Sequence, residues 1–138
     1  MFEFGKNWQS FLETVDEDRI RQAVKSMKEL LGVECLSDKS FLDVGSGSGL
    51  FSLAAVQLGA RNVYSFDYDI NSVECTSRMK ESRSPLRVTW TISRGSVLDT
   101  DFLGTLGEYD VVYSWGVLHH TGDMWTAFSN VQKLVKPG

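Results

Sequence analysis

The sequence is poor in the features that define several large classes of protein. Its 138 residues contain only two cysteines, Cys35 and Cys75, with no CxxC spacing, so we expect reduced structural thiols rather than a disulfide framework or a metal site. With 14 basic and 18 acidic side chains, the formal net charge is −4, which argues against a nucleic-acid partner. No apolar run approaches the ~18 residues of a membrane span, and no signal segment opens the chain. These absences favour a soluble, cytoplasmic protein with no membrane contact.

What the chain does contain is the composition of one globular domain, with 42% hydrophobic and 23% charged residues. Its apolar periodicity predicts a helix from an N-cap at Asp16 to about Gly32, further helices over 50–58, 71–81 and 124–135, and strands over 40–44, 62–66, 87–94 and 109–114. Between the last two strands we expect an irregular connection with about one helical turn. Strands that alternate with helices predict an α/β domain with a parallel sheet and right-handed crossovers.

The stretch FLDVGSGSGLFSLAA, from Phe41 to Ala55, places Gly45, Gly47 and Gly49 between a predicted strand and a predicted helix. Glycine admits positive φ and lets a ligand approach the backbone closely. In open parallel sheets, ligands bind outside the carboxyl ends of the strands. We therefore predict a ligand-binding loop here; the alternative is a tight turn without a ligand, which one glycine would satisfy.

The acidic residue before the loop narrows the ligand class. The loop departs from the dinucleotide pattern G-x-G-x-x-G, because Leu50 stands after the third glycine, and it lacks the lysine of a P-loop. A carboxylate at Asp43 would repel a pyrophosphate and would suit a positively charged group such as an amino acid's ammonium. The alternative is a carboxylate that merely hydrogen-bonds the loop amides.

A second acid follows at the tip of the second predicted strand, in VYSFDYD. Asp67 there is placed to accept hydrogen bonds from both hydroxyls of a ribose. Its alternative role is the N-cap of the next helix, for which Asp69 competes. Tyr68 is a candidate to lie against a base, and its alternative is an exposed residue at a strand end.

Four motifs together carry a family resemblance. They are FLDVGSGSG at 41–49, VYSFD at 63–67, GSVLD at 95–99 and YDVVYSWGVLHH at 109–120, and in this order and spacing they resemble class I S-adenosylmethionine-dependent methyltransferases. The resemblance implies a three-layer αβα sandwich with a Rossmann-like, mostly parallel sheet in strand order 3-2-1-4. The chain stops at LVKPG, where the family continues into further strands. The expected organisation is therefore an aromatic segment over 1–15 and a C-terminally truncated methyltransferase domain over 16–138.

The resemblance also assigns roles to individual residues. The methionine moiety of S-adenosylmethionine is expected at the glycine loop, the ribose at the second acid, the adenine beside it, and the methyl-transfer site at the end of the fourth strand. The cofactor-binding residues implied are Asp43, Gly45, Ser46, Gly47, Gly49, Asp67, Tyr68, Ser96, Val97, Ser114 and Trp115. No metal site is expected.

The reaction expected from this cofactor is transfer of its sulfonium-bound methyl group to an acceptor that the protein aligns. His119 and His120 are candidates for a catalytic base; the alternative is that they only border the cofactor. We expect a small-molecule acceptor, with the aromatic residues of segment 1–15 as a possible lid, and self-association through an exposed fourth strand. The alternatives to an active methyltransferase are a methyltransferase-like module that binds the cofactor without turnover, as a non-catalytic or partner-dependent subunit, and, less favoured, an NAD-dependent oxidoreductase.

Overall fold

The computed structural model describes residues 17–85, 87–114 and 124–137. Their elements, in chain order, are α1 (Glu17–Leu31), β1 (Ser40–Val44), α2 (Leu50–Gln57), β2 (Asn62–Asp67), α3 (Ile70–Arg83), β3 (Thr89–Arg94), α4 (Thr100–Gly104), β4 (Val111–Ser114) and α5 (Met124–Gln132). None of the helices in these ranges has the length and hydropathy that a membrane crossing requires. The N-cap predicted at Asp16 lies outside the described residues.

Within those ranges the strands form one parallel sheet in the order β3-β2-β1-β4. The predicted α/β class and the Rossmann-like order 3-2-1-4 are confirmed. Because β1 is central, Asp43 lies opposite Ser65 of β2 on one side and Tyr113 of β4 on the other. The carboxyl ends of β1, β2, β3 and β4 therefore meet at one edge of the sheet.

Side chains from the two faces of the sheet enter two separate cores, which makes three layers. Every residue of β1 is buried, as expected for a parallel strand covered on both faces. Phe41 packs with residues of α1, α2 and α3, whereas Leu42 packs with residues of α4 and α5. The first core includes Ile20 and Met27 of α1, so this helix covers the sheet through one apolar stripe.

The end of the chain differs from the prediction. Helix α5 stops at Gln132 instead of continuing to 135, and β4 begins at Val111 instead of Tyr109. Tyr109 instead forms an isolated parallel bridge with Val135, in which the Tyr109 amide donates to the carbonyl of Leu134 at 2.7 Å. The bridge needs extended backbone at both partners, so pairing across the chain overrides the local helical pattern.

An acid at the opposite, amino edge of the sheet joins β1 to the segment before β4. Asp110 Oδ2 accepts hydrogen bonds from the Ser40 amide at 2.8 Å and from Ser40 Oγ at 3.1 Å, and Lys136 Nζ lies 3.6 Å away. Its own amide donates to Ser40 Oγ at 2.9 Å. The hydrogen bond from the Ser40 amide is the main reason that the pKa of Asp110 is lowered.

The two cysteines are both free but lie in opposite environments. Cys35 is exposed, and a hydrogen bond from Ser37 lowers its pKa. Cys75 is fully buried on α3, and burial raises its pKa to about 11. The first thiol is therefore accessible and the second is shielded.

Candidate functional site

The glycine loop between β1 and α2 adopts a backbone that favours glycine at three positions. Gly45, Gly47 and Gly49 have φ of 78°, 56° and 86°. The amides of Gly45 and Ser46 donate to the carbonyl of Phe66, at 2.8 and 3.1 Å, which ties the loop to the end of β2. The loop is thus a defined cradle, and its glycines are required by its shape.

Helix α3 fixes the outer side of this loop through Thr76. Its hydroxyl donates to the carbonyl of Gly47 at 3.0 Å and lies 2.9 Å from Ser46 Oγ. Because the Thr76 proton is used on Gly47, Ser46 is the donor in the second bond. A Cβ on Gly49 would stand 3.1 Å from Thr76 Cα. Sequence reasoning missed Thr76, because nothing in the local pattern of α3 indicates a contact with the loop.

Asp67 lies at the end of β2 and connects the glycine loop to the segment that precedes α3. Its Oδ2 accepts from the Gly47 amide at 3.0 Å and its Oδ1 from the Asp69 amide at 2.9 Å. Burial raises its pKa despite these bonds. Asp69 caps α3 by accepting from the Asn71 amide, so the alternative role of Asp67 as that N-cap is wrong.

Asp43 is the more deeply buried acid, with a relative exposure of 3%. It accepts a hydrogen bond of 2.6 Å from Ser52 Oγ of α2, while the amides of Gly45, Ser46 and Gly47 bond to other acceptors. Burial raises its pKa to about 7; the Ser52 bond lowers the pKa and the nearby Asp67 raises it further. Asp43 is therefore a carboxyl group that titrates near neutrality.

The two acids share a feature that points to a ligand. Neither takes part in an ion pair with a lysine or arginine of the described ranges. Desolvation raises the pKa of Asp43 and that of Asp67, and each is also raised by a neighbouring carboxylate. Two desolvated acceptors without a counter-ion in the described ranges are suited to a ligand that carries a positive charge and hydroxyl donors.

Tyr68 follows Asp67 and stands at the rim of the site. Its side chain is 69% exposed. Arg94, at the end of β3, donates from Nε to the Tyr68 carbonyl at 2.8 Å and places its guanidinium 5.2 Å from the centre of the Tyr68 ring. Sequence reasoning missed Arg94, because its position beside Tyr68 follows from its pairing with Asp67 in the β2–β3 register. Arg94 thus fixes the position of the Tyr68 ring at the rim.

The loop after β3 contains Ser96 and Val97, the other two residues predicted to contact adenine. Val97 is buried, and its carbonyl accepts from Asn130 Nδ2 of α5 at 2.9 Å. Ser96 Oγ accepts from the Leu98 amide at 3.1 Å, so its hydroxyl proton stays available. Asn130 is a second residue that sequence reasoning missed.

Ser114 closes β4 beside Val44, the last residue of β1. Its Oγ is buried and has no hydrogen-bond partner among the residues that the structure describes. Buried polar atoms are almost always paired, so this hydroxyl is a candidate contact for a bound group.

The remaining predicted site residues lie outside the described residues. They are Trp115, His119 and His120, together with the aromatic side chains Phe2, Phe4, Trp8 and Phe11 of segment 1–15.

A comparison with family models finds one match that covers most of the chain. The model described as "Methyltransferase domain" matches residues 41–138, from the start of β1 onward.

Curated relatives match shorter stretches. The ribosomal protein L11 methyltransferase of Helicobacter hepaticus is 36% identical over 85 residues, which is 61% of this chain and 25% of the relative. That of Prochlorococcus marinus is 53% identical over 47 residues, which is 32% of this chain and 16% of the relative. The chain thus spans a quarter or less of these relatives. Their names denote a protein acceptor, so the expectation of a small-molecule acceptor is wrong.

Solved structures match the fold more broadly. A putative S-adenosyl-L-methionine-dependent methyltransferase from Methanococcus maripaludis has a TM-score of 0.76 at 19% identity, over 100% of this chain and 62% of that one. Magnesium protoporphyrin IX methyltransferase from Synechocystis, solved with bound SAH, has a TM-score of 0.70 at 23% identity, over 89% of this chain and 57% of that one.

Proposed function

Because the chain belongs to the class I S-adenosylmethionine-dependent methyltransferases, we propose that it is the cofactor-binding region of an enzyme that methylates a protein. The resemblance noted in the sequence is confirmed at the level of the family, and so is its cofactor. The observation that carries the activity proposal is the pair of desolvated acids at the glycine loop, the buried Asp43 and the half-buried Asp67, neither of which has a cationic partner in the described ranges.

The donor groups of S-adenosylmethionine fit these acceptors. Its methionine part carries an ammonium group, which would complement the ionised carboxylate of Asp43. The ribose carries two hydroxyl donors, and each oxygen of Asp67 already accepts one backbone bond and retains a further lone pair. The positive-φ backbone of the loop leaves room for the ligand to lie against the main chain.

The rim fits the flat base of the same compound. The exposed ring of Tyr68 stands beside Asp67, and Val97 provides a buried apolar position on the neighbouring loop. Ser96 can donate its hydroxyl proton to a ring nitrogen. At the other end of the site, the unpaired Oγ of Ser114 lies beside the end of β1. We assign Ser114 to the methionine end of the cofactor.

Methyl transfer from this cofactor does not require the protein to form a covalent intermediate. The sulfonium supplies an already electrophilic methyl group when the cofactor is bound. Asp43 and Asp67 would fix the two ends of the cofactor, and the buried walls formed by β1, β2 and α2 would exclude water. The residues of the chain therefore act by holding and orienting.

A protein acceptor is favoured by the relatives. Several curated relatives named for ribosomal protein L11 match this chain at 35% to 53% identity over the aligned stretches. A protein side-chain nitrogen or the α-amino group, once deprotonated, is a competent nucleophile for an electrophilic methyl group.

Calorimetry with S-adenosylhomocysteine and NAD, run side by side, tests the cofactor. We expect S-adenosylhomocysteine to bind wild type and Asp110→Asn, and to bind Asp43→Asn far more weakly. Tight binding of NAD alone would overturn the proposal.

A second assay tests the acceptor. The chain is incubated with methyl-labelled cofactor and purified ribosomal protein L11, and label in the protein band is counted. Label above the level given by the Asp43→Asn variant supports a protein acceptor. Cofactor binding without any transfer would favour a module without turnover instead.

A further inference from the structure

A chain of hydrogen bonds runs beneath the glycine loop from β3 to Asp43. Trp90 Nε1 donates to Ser65 Oγ at 2.9 Å, Ser65 Oγ lies 2.6 Å from Ser52 Oγ, and Ser52 Oγ donates to Asp43 Oδ2 at 2.6 Å. The four residues come from β3, β2, α2 and β1 in turn. We call this set the Trp90–Asp43 relay.

The relay is closed off from water. Ser65 and Ser52 have no exposed surface, and Trp90 and Asp43 are exposed by 2% and 3%. Trp90 belongs to the first core, and Asp43 lies on the same face of β1 as Phe41, another member of that core. Polar groups in such a place reduce stability unless every donor and acceptor is paired, so packing alone gives no reason for two serines here.

The two ends of the relay together set the direction of its hydrogen bonds. An indole N–H can only donate, and each serine hydroxyl has one proton. The Ser52 proton is used on Asp43, so Ser65, which accepts from Trp90, is the donor to Ser52. An Asp43 that donated to Ser52 would turn Ser52 into a donor to Ser65 and leave the Ser65 proton without an acceptor in the relay, because the indole N–H cannot accept. Trp90 therefore disfavours a donating Asp43, and the bond that Ser52 donates favours the ionised carboxylate over the protonated form.

We propose that Ser52 and Ser65 are positioning residues for Asp43, and that Trp90 locks their hydroxyls in the direction that keeps this carboxylate ready for the cofactor's ammonium. This inference rests on the proposed function for the identity of the ligand. It adds residues outside the glycine loop to the binding machinery. It also makes the indole of Trp90 a reporter for the state of Asp43, although Trp90 lies two strands away.

Within the described part of the chain, few charged or titratable groups face Asp43. Asp67 faces it from β2, and the phenol of Tyr113 faces it from β4, with its own pKa raised by burial and by Asp43. The sequence of α2, LFSLAAVQ, contains no ionisable residue. Burial raises the pKa of Asp43 to about 7, so the carboxyl group changes charge within an accessible pH range. Removal of the Ser52 bond, which lowers that pKa, would shift ionisation to higher pH.

The test follows the Trp90 indole resonance in ¹⁵N-labelled protein, assigned with Trp90→Phe. In wild type we expect this resonance to shift between pH 5 and 9 and to shift again when S-adenosylhomocysteine is added. Ser52→Ala and Asp43→Asn are expected to abolish the pH response. Tyr64→Phe is the matched control, because Tyr64 OH bonds Ser93 Oγ at 2.8 Å between the same two strands without joining the relay. Tyr64→Phe is expected to keep the response.

Affinity for S-adenosylhomocysteine provides a readout that a merely structural role would not move. Ser52→Ala is expected to bind roughly tenfold to hundredfold more weakly at pH 6, the range for a lost hydrogen bond to a charged group, with a smaller loss at pH 8. Tyr64→Phe is expected to bind like wild type at both pH values.

The outcomes separate this inference from the proposed function. A Trp90 resonance that ignores pH, or that responds equally in Asp43→Asn, would overturn the relay. Ser52→Ala with a lower melting temperature but unchanged affinity would also overturn it. Wild type that fails to bind S-adenosylhomocysteine would refute the proposed function, whereas a pH response that needs Ser52 and Asp43 would still support the relay.

Discussion

Asp43 and Asp110 lie near opposite ends of the sheet and have opposite electrostatic environments. Asp110, at the amino edge, accepts two hydrogen bonds from Ser40 and has Lys136 nearby, and its pKa is lowered. Asp43, near the carboxyl edge, is buried without an ion pair in the described ranges, and its pKa is raised to about 7. The same residue type stabilises the fold at one edge and reduces stability at the other. The difference indicates that the carboxyl edge is arranged for a ligand.

Asp43→Asn is expected to have the largest effect on stability. The folded state holds a proton on Asp43 up to about pH 7, against 3.8 ordinarily, so the unfolded state binds fewer protons between roughly pH 4 and 7. The free energy of unfolding therefore falls as pH rises through this window and stays low above it. Each pKa unit is worth about 1.4 kcal/mol, so the total is of the order of a few kcal/mol. Asparagine avoids this loss, so calorimetric melting is expected to show a higher Tm than wild type at pH 8, with an excess that shrinks as the pH falls and is small only near pH 4. Equal pH dependence in both proteins would contradict the assignment.

Asp67→Ala is expected to weaken binding of S-adenosylhomocysteine by roughly 1–3 kcal/mol, the range for hydrogen bonds to a charged group. Isothermal titration calorimetry measures the change. Asp69→Ala is the matched control, because it removes the N-cap bond to Asn71 and leaves the Asp67 carboxylate in place. The control is expected to melt earlier with unchanged affinity. An Asp67→Ala variant that binds like wild type would remove Asp67 from the site.

Gly49→Ala is compared with Gly32→Ala to isolate the contact between the loop and α3. Both glycines have positive φ, at 86° and 66°, so each alanine introduces strain of about 1–2 kcal/mol. A methyl group on Gly49 would also stand 3.1 Å from Thr76 Cα, whereas one on Gly32 would meet nothing within 4 Å. In urea unfolding we expect the Gly49 variant to lose about 1 kcal/mol more than the Gly32 variant. Equal losses would show that the contact with Thr76 is unimportant.

Asp110→Asn is expected to have the smallest effect. The lowered pKa of Asp110 means that its carboxylate adds stability above about pH 4, and that this contribution is lost as the pH falls through the folded pKa. The variant is therefore expected to melt slightly earlier than wild type at pH 7, and the difference is expected to vanish in acid. Thermal melts at both pH values measure it. A change in the cofactor affinity of Asp110→Asn would show that the amino edge of the sheet also contributes to binding, and would contradict the distinction between the two edges.

Much of the fold could be predicted because local and global signals agree. The strand 40–44 was bounded correctly, since an apolar run ends there in a glycine loop. The alternation of strands and helices along the chain predicted the parallel sheet. The end of α5 was misplaced because the pairing of Tyr109 with Val135 depends on the approach of distant segments.

The site was only partly visible in the sequence. Asp43 and Asp67 stand in recognisable motifs, whereas Ser52 and Ser65 lie inside apolar runs and are easily taken for core residues. A serine in each of two buried segments indicates a buried polar contact. Only the strand register, which pairs Asp43 with Ser65, shows which acid the serines approach. The acceptor was mispredicted because low basic charge argues against nucleic acid without separating small molecules from proteins.

The shielded thiol of Cys75 has a practical consequence. It neighbours Thr76, which clamps the glycine loop, while Cys35 is open to solvent. An alkylating reagent would modify Cys35 rapidly, and would modify Cys75 only when α3 moves away from the loop and exposes the thiol. The rate at which Cys75 is modified therefore measures how often Thr76 separates from the glycine loop. A nucleoside bound at the loop would lower this rate.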